Sequence, residues 1–213
     1  MPIVQDEQTA EIRSVDVRWF ENNSRDAWEK HIKPLSPFAS YLELGVFSGS
    51  SLLWAAENLL QDHGCAEGVD TWLPYRRGDE AAELAAMAKQ SARAAASEFN
   101  ARSAACGKKI VLHEADSCDF LCCLAYEAEK NYDCIFVDGD HHAPEALTDV
   151  CLAWELLYKG GVLIIDDCDL YRGRRISSGP LSGEAADAFL SCFGDRLEVI
   201  YRTRKQLCVR KIK

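Results

Sequence analysis

The fold of this chain is most constrained by an alternation of short apolar runs with helix-forming segments, which starts near residue 40. The apolar runs are rich in Val, Ile and Leu and are bounded by Gly, Asp or Ser, as is typical of buried strands. They occupy residues 41–46, 66–69, 110–113, 134–137, 162–165, 197–201 and 207–212. Seven strands that alternate with helices predict an α/β fold with a mostly parallel sheet and right-handed crossovers.

Between these runs, apolar residues recur at the spacing of an amphipathic helix. One such face combines Leu52, Leu53, Ala56, Leu59 and Leu60, and another combines Leu147, Val150, Cys151, Trp154 and Leu157. Pro144 suits the first turn of the second helix, and Gly160–Gly161 is expected to close it. The alanine-rich residues 80–105 predict one long helix or two shorter ones.

The last two strands depart from the alternation, because only residues 203–206 separate them. A parallel crossover needs about a dozen residues, so we expect an antiparallel hairpin. Residues 1–38 are predicted to form an N-terminal helical segment, and residues 39–213 the main domain. The aromatic side chains Trp19, Phe20 and Trp28 of this segment can either cover the protein's own sheet or form the interface of a homodimer.

Composition excludes several classes of protein. A chain of 213 residues with 48% hydrophobic side chains fits one soluble domain. No apolar run approaches the roughly 20 residues of a membrane-spanning helix, and the first twenty residues do not resemble a signal peptide. We therefore expect a cytoplasmic protein with no membrane partner. The net charge of -10 argues against nucleic acid as the main partner.

The ten cysteines do not form the paired CxxC repeats of a zinc site, and most of them lie inside apolar segments. In a cytoplasmic protein they are expected to be reduced packing residues. Cys118, Cys122 and Cys123 form a cluster for which a redox role is left open.

A glycine-rich turn follows the first strand in the sequence ELGVFSGS, which begins at Glu43. Gly45 and Gly49 would let a ligand approach the backbone, and the helix that starts next would offer free N–H groups. A dinucleotide fingerprint would need glycine where Phe47 and Ser50 stand. The turn therefore suits a nucleoside better than a pyrophosphate, although a purely structural turn is the alternative.

Two further carboxylates follow neighbouring strands. Asp70 ends the second strand 25 residues after Gly45, where a carboxylate can accept both hydrogen bonds of a ribose diol. Asp116 follows the third strand, within reach of an adenine amino group. Either residue alone is as readily a helix cap or a turn residue, but together with the turn they outline a nucleoside site.

The strongest constellation lies at the ends of the fourth and fifth strands, in the segments FVDGDHH and IIDD. Ligands of open α/β sheets bind at the carboxyl ends of the strands, so Asp138, Asp166 and Asp167 should converge. Three such carboxylates repel one another, and a bound cation relieves the repulsion. Oxygen ligands favour Mg²⁺, with Mn²⁺ or Ca²⁺ as substitutes.

His141 follows Asp138 by three residues and has the ordinary pKa of a general base for a hydroxyl group. A surface histidine without a catalytic role is the alternative. The adjacent His142 is a second candidate for the base, and the sequence favours His141.

The segments YLELGVFSGSSLL, GVD and YDCIFVDGDHH…LLYKGGVLIIDD resemble the class I S-adenosylmethionine-dependent methyltransferases, in particular the cation-dependent O-methyltransferases related to catechol, caffeoyl-CoA and macrolide-sugar enzymes. The resemblance covers roughly residues 38–170. It implies a Rossmann-like, doubly wound seven-stranded sheet of order 3-2-1-4-5-7-6 with strand 7 antiparallel, and S-adenosylmethionine plus Mg²⁺ as cofactors. The implied cofactor contacts are Glu43, Gly45, Phe47, Gly49, Ser50, Asp70, Asp116 and Asp138, and the implied cation ligands are Asp138, Asp166 and Asp167.

Two departures from the family pattern bear on the substrate. The catechol and caffeoyl-CoA types have lysine where this chain has His141, and usually asparagine where it has Asp167. The combination found here is more similar to the macrolide-sugar branch. We expect a small-molecule hydroxyl acceptor, on a sugar or another natural product and including phenols, with walls from the N-terminal segment, the segment after Asp70 and the loop 171–183.

Two other functions share part of this pattern. A nicotinamide-dependent Rossmann oxidoreductase would have the same alternating strands and ribose acid, but the glycine fingerprint is missing. A non-catalytic cofactor-binding subunit would not need the acids and the histidine. Relatives of the methyltransferase group are often dimers, so a homodimer is a further expectation.

Overall fold

Seven strands form one sheet in the computed structural model, which describes residues 19–74, 78–127, 131–168 and 182–213. The strands are β1 (Phe38–Leu44), β2 (Leu60–Asp70), β3 (Lys109–Glu114), β4 (Tyr132–Val137), β5 (Leu157–Ile165), β6 (Leu197–Arg202) and β7 (Leu207–Lys211). Their order across the sheet is β3-β2-β1-β4-β5-β7-β6, and β7 runs antiparallel to both of its neighbours. The predicted fold class and strand order are therefore confirmed.

Helices cover both faces of this sheet. In the described residues they are α1 (Trp19–Asn23), α2 (Arg25–His31), α3 (Ser50–Asn58), α4 (Asp79–Arg102), α5 (Ser117–Glu127), α6 (Ala143–Glu155) and α7 (Ser182–Phe193). Short 3₁₀ turns lie at Lys33–Leu35 and Gly194–Arg196. None of the helices in the described ranges is long and apolar enough to cross a membrane.

The two faces of the sheet form two separate hydrophobic cores, because successive side chains of a strand point to opposite sides. In β4, Cys134 and Phe136 join the core under α1 to α4, whereas Ile135 and Val137 join the core under α5 to α7. A strand that is buried on both faces has a continuous apolar sequence, which is why β4 could be located from the sequence pattern.

The structure corrects several predicted boundaries. Strand β2 begins at Leu60 rather than near residue 66, because Phe38 pairs with Leu60 before the register shifts and resumes at Ser40 and Cys65. Helix α6 ends at Glu155, so the prediction that Gly160–Gly161 closes it is wrong: both glycines lie inside β5. Residues 80–105 contribute one helix, α4, rather than two.

The described part of the N-terminal segment packs against the protein's own sheet. Trp28 of α2 is fully buried and makes edge-on ring contacts with Phe20 at 5.0 Å and with Phe136 of β4 at 4.9 Å. Strand β1 already begins at Phe38, the last residue of the predicted segment. Trp19 remains 46% exposed at the edge of this cluster.

Candidate active site

The carboxyl ends of β2, β1, β4 and β5 lie side by side, and the chain continues their ladder for one residue beyond the strands. Gly45 N–H donates to the Val69 carbonyl at 2.9 Å, and Asp138 N–H donates to the Leu44 carbonyl at 2.8 Å. Asp166 N–H reaches the Val137 carbonyl at 3.0 Å. These bonds fix the backbone at the point where the predicted site residues begin.

Gly45 is required by both its conformation and its surroundings. Its φ is +87°, and a Cβ at this position would lie 2.0 Å from the carbonyl oxygen of Asp138. No side chain fits between these two strand ends. Gly49 is also left-handed, with φ +86°, and a Cβ there would meet the Cα of Ala92 in α4 at 3.2 Å. The predicted glycine turn thus lies where the end of β1 closely approaches the end of β4 and helix α4.

Asp70 organises the turn from the end of β2. Its carboxylate accepts hydrogen bonds from the backbone N–H of Phe47 at 2.7 Å and of Trp72 at 2.6 Å. The Trp72 indole donates in turn to the Phe47 carbonyl at 2.8 Å, which holds Phe47 at a φ of +47°. A carboxylate has about four lone-pair positions, so two of them remain for a ribose diol.

Asp116 lies beside Asp70, because Ala115 N–H bonds to the Asp70 carbonyl at 3.2 Å. Its exposed carboxylate accepts from the backbone N–H of Asp119 at 3.2 Å and thereby caps the first turn of α5. Asp116 therefore acts as a helix cap, which was the alternative that the sequence offered. It also lies next to the turn that would hold a nucleoside.

Glu43 is completely buried beneath the glycine turn. It accepts hydrogen bonds from the hydroxyl groups of Tyr41 and Ser51, each at 2.7 Å. Burial raises its pKa to about 8 in spite of these two bonds, with further contributions from Asp70 and Asp166. Glu43 ties β1 to α3 and is mostly protonated at neutral pH. Ser51, which makes this connection, was not among the predicted residues.

The acidic residues at the ends of β4 and β5 repel one another. Burial and the neighbouring charges of Asp166 and Asp167 raise the pKa of Asp138 well above its ordinary value. Burial and the charge of Asp167 raise the pKa of Asp166 to about 7. Negative charge is therefore costly at this edge, as predicted from the sequence.

His141 pairs with Asp167. Its Nδ1 lies 2.9 Å from Asp167 Oδ2, and this hydrogen bond raises the pKa of His141 above its usual value. Asp167 has a φ of +54°, in the left-handed region that residues other than glycine adopt rarely. Ser182, the first residue of α7, fixes both partners: its N–H bonds the His141 carbonyl and its hydroxyl bonds the Asp167 carbonyl, each at 2.9 Å.

His142 bonds to a different carboxylate. Its Nδ1 and its backbone N–H contact Asp140 Oδ1 at 2.6 and 2.7 Å, and it precedes α6 as the N-cap residue. With Glu145 it belongs to an exposed surface group. The structure thus brings His141, rather than His142, next to the acids at the strand ends.

The donor atoms fit a divalent cation. One ligand atom from each of Asp138, His141 and Asp167 lies within 4.8 Å of the other two. The sequence predicted Asp138, Asp166 and Asp167, whereas the group in the structure contains His141 in place of Asp166. Asp138 and Asp167 provide carboxylate oxygens of the kind that Mg²⁺ and Mn²⁺ take as ligands.

A pocket opens beside these residues. Its walls are α1 with the adjoining Ser24, the glycine turn and the ends of β4 and β5. The lining residues are Trp19, Phe20, Ser24, Gly45, Val46, Phe47, Ser48, Ser50, Ser51, Phe136, Asp138 and Asp166. The pocket thus combines an aromatic wall with two carboxylates. The predicted loop 171–183 lies outside the described residues except for its last two positions, which begin α7.

The sheet order, the glycine turn and the acids at its edge together define the class of enzymes with the class I methyltransferase fold. Residues 42–168 match the family model described as a methyltransferase domain. This match spans more than half of the chain, and the chain therefore belongs to that methyltransferase family. The prediction of a methyltransferase is confirmed.

Several solved structures share the fold at low sequence identity. The O-methyltransferase TomG from Streptomyces achromogenes, involved in tomaymycin synthesis and solved with S-adenosylmethionine, is 16% identical, with coverage of 100% of this chain and 93% of that one and a TM-score of 0.63. An O-methyltransferase from Bacillus cereus, solved with S-adenosylhomocysteine, is 16% identical over 98% and 93%, with a TM-score of 0.59. The methyltransferase PaMTH1 from Podospora anserina is 16% identical over 99% and 98%, with a TM-score of 0.58. No curated protein sequence matches the chain.

Proposed function

We propose that this enzyme transfers the methyl group of S-adenosylmethionine to a hydroxyl oxygen of a small molecule. The observation that carries the proposal is the His141–Asp167 pair, which lies at the strand ends together with Asp138 and next to the glycine turn. A base held by a carboxylate is what the removal of a hydroxyl proton requires. TomG and the Bacillus cereus enzyme, which are named O-methyltransferases and were solved with the cofactor or its product, support the same reaction.

The cofactor site is built from the turn after β1. Gly45 lets the cofactor approach the backbone, and α3 begins directly after the turn without a side-chain cap, so its first N–H groups are available to a ligand. Asp70 accepts the ribose hydroxyls with its two remaining lone pairs, and Asp116 borders the adenine. A sulfonium cation beside Asp138 and Asp166 would favour the ionised forms of these carboxylates and would be attracted by them.

A divalent cation, with Mg²⁺ as the first candidate and Mn²⁺ or Ca²⁺ as substitutes, completes the proposed site. Asp138 and Asp167 supply its carboxylate ligands, with Asp166 as the third acid named by the sequence and His141 Nδ1 already bonded to Asp167. When bound, the ion would lower the pKa of the acceptor hydroxyl and neutralise the carboxylates.

His141 acts as the general base in this proposal. Because Nδ1 donates to Asp167, the lone pair of the neutral imidazole is on Nε2, and the acceptor proton moves to that atom. The acceptor oxygen then forms a bond to the methyl carbon while the carbon–sulfur bond breaks. The products are S-adenosylhomocysteine, the methyl ether and a proton. General base action contributes about 10²- to 10⁴-fold, and orientation supplies much of the rest.

The pocket supports a small acceptor with a flat or partly apolar surface. Trp19, Phe20 and Phe136 offer aromatic faces, and Asp138 and Asp166 offer acceptors for hydroxyl groups. Aromatic side chains bind both phenolic rings and the apolar faces of sugars. We therefore propose a hydroxyl on a sugar or another natural product, including phenols, as the methylated group.

Calorimetry and a transfer assay test the proposal. S-adenosylhomocysteine should bind with and without Mg²⁺, and NAD should not bind. Labelled S-adenosylmethionine should then methylate members of a panel of sugars with neighbouring hydroxyls and of phenols, and EDTA should abolish the transfer while leaving the binding of S-adenosylhomocysteine intact. Transfer at full rate in excess EDTA would disprove the role of the cation, and binding of NAD instead of S-adenosylhomocysteine would disprove the whole assignment.

A further inference from the structure

Ser182, the first residue of α7, bonds the backbone of both members of the His141–Asp167 pair. Its N–H donates to the His141 carbonyl and its hydroxyl donates to the Asp167 carbonyl, each at 2.9 Å. Only 3% of Ser182 is exposed, so both bonds are largely shielded from water. One buried residue thus joins the loop that carries the histidine to the loop that carries its carboxylate.

Asp167 depends on such a contact more than its neighbours do. Asp166 N–H still bonds the neighbouring strand β4, and Cys168 N–H donates to the Lys205 carbonyl at 2.8 Å. Between them, Asp167 has a φ of +54°, and a residue other than glycine keeps this conformation only where its surroundings hold it there. The Ser182 hydroxyl supplies a bond at this residue.

Helix α7 brings Ser182 to this point by packing closely against α6. Ala185 of α7 forms one buried cluster with Ala143 and Ala146 from the first turn of α6. Side chains as small as alanine let two helices approach closely, and Ala143 follows His141 by two residues. The start of α7 is therefore fixed next to the loop that carries the histidine.

The rest of α7 is anchored at two further places. Phe189 is fully buried, and its ring lies 5.3 Å from that of Trp154 in α6. Asp187 pairs with Arg202 of β6, with 2.6 Å between the charged atoms. These contacts lie more than one helical turn beyond Ser182, so the position of Ser182 follows from the docking of the whole helix.

We propose that Ser182 is a positioning residue for the general base, which keeps the Asp167 carboxylate where it can accept from His141 Nδ1. The inference rests on the proposed function of the site. The identity of the residue matters through its hydroxyl, because any residue except proline would supply the N–H that bonds His141. Asp167 Oδ2 lies 2.9 Å from His141 Nδ1 and holds the lone pair of the neutral imidazole on Nε2.

A displaced Asp167 would release this constraint on the imidazole. The single proton of the neutral ring could then occupy either nitrogen, and the tautomer with the proton on Nε2 cannot accept the substrate proton at that atom. Ser182 therefore acts on the reaction through the tautomer of His141, and α7 belongs to the unit that sets it.

The substitution Ser182→Ala tests this role, because it removes the bond to Asp167 and keeps the bond from the backbone N–H to His141. With labelled S-adenosylmethionine, kcat should fall by about five- to thirtyfold, the size expected for one lost hydrogen bond. The Kd of S-adenosylhomocysteine should stay within about twofold, since the two bonds of Ser182 reach the loops after β4 and β5 and not the glycine turn. An unchanged kcat in Ser182→Ala would overturn the proposal.

Phe189→Leu is the matched control on the same helix. It removes buried volume next to Trp154, so its melting temperature should fall by more than that of Ser182→Ala. Its kcat should nevertheless stay within about twofold of the wild type, because the bonds of Ser182 are left in place. If the control loses as much kcat as Ser182→Ala, the effect is one of general stability and the proposal is overturned.

Nitrogen NMR supplies a readout that needs no substrate. At a pH at which the imidazole is neutral, the wild-type His141 ring should carry its proton on Nδ1, and its signals are assigned by their loss in His141→Gln. Ser182→Ala should show a mixture of both tautomers, whereas Phe189→Leu should keep the tautomer of the wild type. A fall in kcat with no change in tautomer would place the effect elsewhere and overturn the proposal.

The positioning role and the proposed function of the site fail on different results. Should the wild type transfer no methyl group to any hydroxyl, the proposed function fails, and the NMR experiment still decides whether Ser182 holds the pair. Full turnover by a wild type whose His141 has no preferred tautomer would overturn the positioning role and leave the proposed function in place.

Discussion

His141 and His142 are adjacent in the sequence and equally exposed, yet they bond to different carboxylates. The side chain of each is 48% accessible, and each uses Nδ1 for a hydrogen bond, to Asp167 and to Asp140 respectively. Asp167 follows β5 at the edge of the sheet, whereas Asp140 lies in the loop before α6. The two histidines therefore differ in their partners and not in their exposure: His141 is the candidate base, and His142 is the N-cap residue of α6.

We therefore expect His141→Ala and His142→Ala to differ in turnover. His141→Ala should lower kcat by about 10²- to 10⁴-fold at neutral pH, the usual contribution of a general base, while the binding of S-adenosylhomocysteine is retained. His142→Ala serves as the control and should change kcat by less than about threefold. Steady-state kinetics and calorimetry on both variants measure these values. An unchanged rate in His141→Ala together with a large loss in His142→Ala would exchange their roles.

Asp149 gives the stability of the protein a dependence on pH. It is 2% exposed on α6, and burial raises its pKa from 3.8 to about 6, while the hydroxyl of Ser117 at 2.7 Å opposes the shift. The folded protein therefore binds this proton more tightly than the unfolded chain does. The contribution to stability is lost as the pH rises from about 4 to about 6.

Asp149→Asn should remove this loss, because asparagine does not ionise. Relative to the wild type, its free energy of unfolding should rise between pH 4 and pH 7 by up to about 3 kcal/mol, at about 1.4 kcal/mol for each unit of pKa shift. Ser117→Ala should have the opposite effect, since it removes the bond that holds the pKa down. Urea unfolding followed by circular dichroism at both pH values measures the difference. A wild type and Asp149→Asn with parallel pH profiles would contradict the assignment.

Single residues were predictable from the sequence where their position follows from a strand end. Asp70, Asp138 and Asp166 come directly after apolar runs, so their convergence required only the topology of a parallel sheet. Ser182 and Gln206 carry no such local signal. They reach the site through the packing of α7 and through the β6–β7 turn, which only the folded arrangement brings near.

At the scale of elements, α1 and α2 are held by buried aromatic packing more than by helix propensity. Helices of five and seven residues are too short to be stable alone. Trp28 contacts Phe20, Trp54, Tyr41 and Phe136 and also donates to Gln206. Trp19 is nearly half exposed at the mouth of the pocket.

Two tryptophan variants should separate stability from acceptor binding. Trp28→Ala should lower the free energy of unfolding by about 3 to 5 kcal/mol, as large core truncations do. Trp19→Ala should cost less than about 0.5 kcal/mol but should raise KM for the acceptor, because it removes part of the pocket wall. Chemical denaturation and steady-state kinetics distinguish the two effects. Equal losses of stability in both variants would mean that Trp19 is as much a part of the core as Trp28.

The presence of the strands and helices was more predictable than the residues at which they begin and end. All seven strands were located, because each contains an apolar run, and the central strands β1, β4 and β5 are buried on both faces over several consecutive residues. Their beginnings were missed where the register is irregular: residues after Leu60 turn through His63, with a φ of +63°, before β2 rejoins β1 at Cys65. Such an irregularity leaves no periodic pattern. The short helices before β1 depend on long-range packing and were predicted only as a helical segment.

At the scale of the whole molecule, the ten cysteines are free thiols that differ in their exposure. All ten lie in the described ranges, and none is part of a disulfide. Cys122, Cys123 and Cys192 are exposed, whereas burial raises the pKa of Cys134 and Cys208 above the usual value. Buried thiols with a raised pKa react slowly.

Thiol titration should therefore proceed in two stages. Dithionitrobenzoate should modify three cysteines rapidly in the native protein and all ten after denaturation without a reductant. The melting temperature should be the same with and without dithiothreitol, because no cross-link is lost. Fewer than ten reactive thiols in the denatured protein would indicate a disulfide and contradict this distribution.

The buried hydrogen bonds of Gln206 with Trp28 and Ser24 also bear on the synthesis of the chain. Trp28 and Ser24 bond a residue that follows them by 178 and 182 positions. At roughly 5 to 20 residues per second, a ribosome would add Gln206 roughly 10 to 40 s after these partners. During that interval the indole N–H of Trp28 and the hydroxyl of Ser24 lack the hydrogen bonds that they make to Gln206 in the folded protein. Until the β6–β7 hairpin is synthesised, α1 and α2 would therefore be more exposed to chaperones and proteases than they are in the folded protein.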